Sequence, residues 1–137
     1  MNFLRVVLAA LAAWLVYLGT GFLIHGVMLA DLWETLQRDG VARMPAGAHV
    51  LMPISVVMAL VGSFAFAYTY AKGYEGGPGL QEGLRFGVLV GLLFVTFVLG
   101  WNYVMFPLPL QYLTSMAAAT VIQFAVLGMA VGIIYRK

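Results

Sequence analysis

The chain has 137 residues, 64% of them hydrophobic and 9% charged, and a mean hydropathy of +1.00, whereas soluble domains carry roughly a quarter charged residues. It has no cysteine, which excludes disulfide frameworks, zinc-thiolate sites, iron-sulfur clusters and thiol nucleophiles. The net charge of +2 comes from seven Lys and Arg scattered around the ends of apolar runs, so there is no basic patch of the kind nucleic acid requires.

Residues 6–30 carry no formal charge, and such a run is longer than the roughly 20 residues needed to cross a hydrocarbon core. It is also too long for the apolar part of a secretory signal peptide, despite the basic Arg5 before it. Residues 31–40 place Leu32, Trp33 and Leu36 at helical spacing among charges. This predicts a short amphipathic helix in the membrane interface, capped by Asp31 and ended by Gly40. A second uncharged span covers 50–71, and Gly73, Gly76, Gly77, Pro78 and Gly79 then predict a turn. A third span covers 86–106; an uncharged connection, Pro107-Leu108-Pro109-Leu110, leads to a fourth over 113–135. The expected fold is an all-α, four-helix transmembrane bundle forming one domain.

Arg5, Lys72, Arg85, Arg136 and Lys137 fall on one side of four alternating spans, against Arg38 and Arg43 on the other. The positive-inside rule then makes both termini cytoplasmic, which fits a multi-pass protein of a bacterial inner membrane. Ile24-His25-Gly26-Val27-Met28 is faintly similar to Trp101-Asn102-Tyr103-Val104-Met105, and Tyr70-Ala71-Lys72 to Tyr135-Arg136-Lys137. A duplicated helical hairpin is one reading of those pairs.

Lipid gives helices no hydrophobic reason to associate, so small side chains and a few polar contacts must hold them together. Gly83, Gly87 and Gly91 recur at every fourth position, as do Ser55, Ala59, Ser63 and Ala67, while Gly128 and Gly132 offer a third smooth surface. Such stripes serve packing within one bundle or between subunits. Among polar residues at depth, Gln123 is the most central, with His25, Thr20, Thr96 and Asn102 in or near outer halves. An interhelical hydrogen bond accounts for Gln123 and Asn102. The spans contain no Asp, Glu, Lys or Arg, which speaks against ion-coupled transport and voltage sensing.

His25 and His49 lie toward the same side, where neutral imidazoles suit haem or a metal such as zinc or copper, with Met28, Met44 and Met52 as additional soft ligands for copper. No third strong ligand is evident beside them. The five acidic residues, Asp31, Glu34, Asp39, Glu75 and Glu82, all lie in loops or at helix ends and converge with no serine and histidine into a triad.

Residues 18–33, with their Leu18-Gly19 pair and closing Trp33, resemble the first-helix pattern of a family of uncharacterised small bacterial membrane proteins, from which Phe22 and His25 in the aromatic region depart. Glu82-Gly83-Leu84-Arg85-Phe86-Gly87 is a second point of likeness. The resemblance implies the four-helix architecture and no activity.

Three functions remain. The first is a non-enzymatic accessory subunit, packed against a larger membrane complex or against its own copies, with lipid around it and no cofactor. The second is a binder of a small apolar ligand, haem or metal near His25, His49 and Asn102. The third is a passive pore for a neutral solute lined by Thr20, Ser55, Ser63, Thr96 and Gln123, residues too sparse to line a channel within one chain.

Overall fold

The computed structural model describes residues 1–136, and among these every regular element is helical. Four helical segments are long and apolar enough to cross a membrane: Phe3–Met28, Pro45–Gly73, Gly79–Met105 and Leu110–Ile134. The protein is an all-α, multi-pass membrane protein with a four-helix bundle.

The first span is α1 (Phe3–Gly21) continued by a π-helical segment, Phe22–Met28. Asn2 caps its start, its side-chain oxygen accepting the Arg5 N–H at 3.2 Å. The connection that follows is α2 (Ala30–Arg38). Asp31 lies inside its first turn, with Leu29 at the cap position and no side-chain cap bond. There a carboxylate meets the positive end of the helix dipole without having to bond a backbone N–H. Gly40, at φ +74°, ends the segment in a conformation that side chains rarely adopt. The second span, α3 (Pro45–Gly73), starts with proline at its first position, where the missing N–H has no intrahelical role.

The third span is α4 (Gly79–Phe94), a second π-helical segment (Val95–Leu99) and α5 (Gly100–Met105); the fourth is α6 (Leu110–Ile134). Around the bundle the neighbours run α3, α1, α6, α4. The largest contact joins α4 to α6. Although α3 and α4 follow each other in sequence, they meet chiefly through aromatic rings near their connecting turn. Phe66 stands 4.8 Å from Phe86 between ring centroids, and Tyr70 stands 5.5 Å from Phe86 and 6.2 Å from Tyr135.

Alternation of the spans places Arg5, Lys72, Arg85 and Arg136 at one end of the bundle, here termed the basic end, and α2 at the other. The core splits accordingly. Val6, Ala9, Ala10, Ala13, Phe66, Ala67, Tyr70, Leu127, Val131 and Tyr135 pack toward the basic end. Leu32 and Leu36 of α2 pack on Leu99 and Met116 at the other. The amphipathic helix therefore caps the bundle with its apolar face, while Glu34 and Arg38 pair across its exposed side at 3.3 Å.

The turn between α3 and α4 is tied by one carboxylate. Glu82 accepts the backbone N–H of Glu75 at 2.6 Å and of Gly77 at 2.9 Å, while Gly76 takes φ +92°. The Tyr74 hydroxyl donates to the Gly77 carbonyl at 3.0 Å, so backbone groups of a tight reversal are satisfied by Glu82 of α4 and by Tyr74 just after α3.

Candidate functional site

Two surfaces and one polar node hold the residue types that the sequence sets apart. The first surface is the α4 and α6 contact. A side chain at Gly83 would run into the Gly128 carbonyl, one at Gly79 into the Gly132 carbonyl and one at Gly87 into the Phe124 carbonyl. A Cβ at Gly91 would lie 3.0 Å from the Val121 Cα. Gly128 and Gly132 answer from α6, a Cβ there overlapping the Gly83 and Gly79 carbonyls. Backbone meets backbone over more than three turns, and the close approach needs glycine on both helices. The row Gly83, Gly87 and Gly91 is thus covered by α6.

The α3 row has a different neighbour. Ser63 and Ala67 are buried where α3 lies along α1, with Ala67 in the cluster that holds Ala9, Ala10 and Ala13. Farther from the basic end, the Trp14 indole N–H donates to the Val56 carbonyl at 3.1 Å. No residue of α3 before Ser63 is buried. Ser55 is exposed and Ala59 half-buried, and Val50 is 78% exposed, with Ile54, Val57 and Met58 exposed beside it. The row of four small residues is therefore half covered. Pro53 sits inside this bare stretch, and its ring removes one N–H and crowds the carbonyl four residues back.

Gln123 is the polar node. It is buried, and its amide nitrogen donates to the Tyr17 carbonyl at 3.1 Å and to the Thr20 hydroxyl oxygen at 3.0 Å. The Thr20 hydroxyl in turn donates to the Val16 carbonyl at 2.7 Å. Both amide protons of Gln123 are used, in a tie between α6 and α1 just below the point where α1 becomes π-helical. Thr96 donates to the Leu92 and Leu93 carbonyls of its own helix, and Ser55 to the Met52 carbonyl. Thr20 and Gln123 thus meet each other, whereas Thr96 and Ser55 each bond within their own helix.

His25 lies in the first π-helical segment, partly buried, and its Nδ1 accepts the Trp33 indole N–H at 3.2 Å. Trp33 stands edge-on to His25 at 5.7 Å and to Tyr112 at 6.2 Å. The imidazole thus orients the α2 cap. A nitrogen that accepts a hydrogen bond assigns the proton of the neutral ring to Nε2. His49 is exposed on α3, and Asn102 is partly buried in α5. Among the described residues no group of three or more His, Cys, Asp or Glu side chains is placed to hold a metal ion. Between α2 and the Pro107–Pro109 connection lies an open concavity of about 380 Å³, lined in part by Asp31, Thr35, Asp39 and Gln111.

Comparison with protein-family models, curated proteins and solved structures gives no match. The functional reading therefore rests on the geometry of this chain.

Two features lie outside the sequence reading: the π-helical segments and the indole-to-imidazole bond. Gly21 and Gly26 around the first segment and Gly100 after the second are the only local cues, and glycine in a helix has many other causes. His25 and Trp33 are eight residues apart, which a continuous helix would separate by about 12 Å along its axis, so their contact depends on the break between the two helices.

Proposed function

We propose that the protein is a non-enzymatic subunit of a membrane assembly, and that the bare half of α3 is the face on which a transmembrane helix of another membrane protein packs. The observation that carries this reading is the half-covered row. Ser63 and Ala67 are buried where α3 lies along α1, while on the same line Ala59 is only half-buried and Ser55 is exposed. Small residues at four-residue spacing let backbones approach, and lipid chains gain little from a groove that shape. Large apolar side chains, Val50, Ile54, Val57 and Met58, flank the row and would lie against the sides of a seated helix.

The rest of the chain suits a scaffold. The α4 and α6 contact is tight enough to fix the backbone, and α2 is pinned over one end by Leu32, Leu36 and Trp33. Gln123 and Thr20 are used for holding α6 to α1. The test is gentle detergent extraction from the native membrane followed by native mass spectrometry, with an absorption spectrum of the same fraction. The expected result is co-migration with a larger membrane subunit, lost in a Ser55→Leu, Ala59→Leu double variant whose helix content and melting are unchanged. Self-association lost in that variant would make the partner a second copy. A lone chain, with the double variant indistinguishable from it, would overturn the reading, and a Soret band in that fraction would transfer the interest to His25.

A further inference from the structure

At the basic end, the start of α1 and the last turn of α6 enclose a notch of about 340 Å³, lined by Met1, Asn2, Arg5, Tyr135 and Arg136. We infer that this notch binds the phosphate group of an anionic phospholipid.

Three observations converge on it. The first is charge without a partner: among the described residues the one ion pair joins Arg38 to Glu34 at the opposite end, so neither Arg5 nor Arg136 meets an Asp or Glu. The turn that carries Glu75 and Glu82 makes no ion pair with either arginine, and Glu82 accepts the N–H groups of Glu75 and Gly77.

The second is preorganisation. One Arg5 guanidinium nitrogen donates to the Arg136 carbonyl, which joins the two ends of the chain and holds both arginines at one opening. A guanidinium has five N–H donors in a planar fork, so those left over after this single bond can face a phosphate. Tyr135, 2% exposed, forms the floor and belongs to the same aromatic cluster as Tyr70 and Tyr74.

The third is position. The notch opens where two membrane-spanning helices end, and Phe3, Leu4 and Ile133 are exposed on the adjoining turns. An ion free in water gains nothing from such apolar walls. A phospholipid has its phosphate at that level and acyl chains running down the helices from it, so the two kinds of surface are matched by one molecule. This favours the lipid over free phosphate as the source of the anion.

The experiment is native mass spectrometry of the full chain in mild detergent, with phosphatidylglycerol and phosphatidylcholine supplied in equal amounts, and separately with phosphatidylglycerol plus millimolar inorganic phosphate. The wild type is expected to retain one phosphatidylglycerol in preference to phosphatidylcholine, and inorganic phosphate should not displace it. The Arg5→Gln, Arg136→Gln double variant should lose that preference by about thirtyfold, the size expected of two basic side chains at a lipid surface. Arg5→Lys with Arg136→Lys should keep much of it. Lys72→Gln with Arg85→Gln, which removes the same charge from the same end, should leave it intact. Helix content and melting of each variant are read alongside; if the glutamine pair unfolds, the single variants Arg5→Gln and Arg136→Gln decide, each expected to lose part of the preference that Lys72→Gln with Arg85→Gln keeps, and equal retention in all three would overturn the site. Equal losses in the two glutamine pairs would reduce the effect to general attraction and overturn the site. Absence of any preference in the wild type, or displacement by inorganic phosphate, would overturn it as well.

Discussion

Replacing Gly83 with alanine adds one methyl group, and the structure says where it goes. The new Cβ would overlap the Gly128 carbonyl oxygen, lie 2.8 Å from its carbon and 3.2 Å from the Gly132 Cα. Carbon atoms rest about 3.5–4.0 Å apart, so α4 and α6 must separate by roughly 1 Å at this level. All three obstructing atoms are backbone and cannot rotate away. A gap of that size forfeits roughly a quarter to a half of the dispersion energy of each contact along the seam, and overpacking of this kind costs about 1–3 kcal/mol. Exchange of glycine for alanine within a helix returns up to about 1 kcal/mol. Gly62 in α3 provides the reference, since a Cβ there meets nothing within 4 Å. Gly83→Ala should therefore be about 1–2 kcal/mol less stable than wild type, and Gly62→Ala neutral or more stable by up to about 1 kcal/mol. Reversible unfolding in mixed micelles, followed by the tryptophan fluorescence of Trp14, Trp33 and Trp101, measures both. Equal stability of the two variants would refute the backbone-on-backbone account of the seam.

Gln123→Leu removes the ties to Tyr17 and Thr20 but leaves the Thr20 hydroxyl its own bond to Val16, so the loss should be about 0.6–1.7 kcal/mol in the same unfolding assay; a loss several times larger would give Gln123 a role beyond that tie. Trp33→Phe keeps a ring against Tyr112 and deletes the N–H that His25 accepts, and nitrogen-15 NMR of the histidines should show the Nε2–H tautomer dominant in the wild type and mixed in the variant. An unchanged spectrum would separate the two side chains. A cysteine at Asp39 should react with a membrane-impermeant thiol reagent in intact cells and one at Glu75 should not, given the bias of Lys and Arg toward the end that holds the 73–79 turn. These exposed sites avoid the positive φ of Gly40 and Gly76, and the reverse labelling pattern would invert the topology.

The four spans were legible because hydropathy over some twenty residues is a property of the sequence alone, and their alternation follows from their number. Their lengths were less so. The structure extends α3 to Pro45–Gly73, because flanking polar residues and glycines such as Gly47 and Gly73 remain helical beyond the apolar run. The small-residue rows could be read as rows, since four-residue spacing marks one helix face. Which helix each row would meet could not be read. The glycines of α4 take α6 as neighbour and the Ser63 and Ala67 end of the α3 row takes α1, and that choice depends on the whole arrangement of helices.

The same distinction bears on the bare half of α3. Taken alone, Ser55 and Ala59 are ordinary members of a stripe, and nothing in their identity distinguishes them from Ser63 and Ala67. Only the path of α1 does. It runs beside α3 from the basic end to the level of Trp14 and Val56, after which its π-helical continuation is committed through His25 to Trp33 and the α2 cap. The bond between indole and imidazole ties the end of the first span to α2. A variant that frees that end, such as Trp33→Ala, should let α1 shift toward α3 and weaken capture of a partner without any change on the α3 face. Partner capture that responds to Ser55 and Ala59 but not to Trp33 would show that the two ends of the bundle act independently.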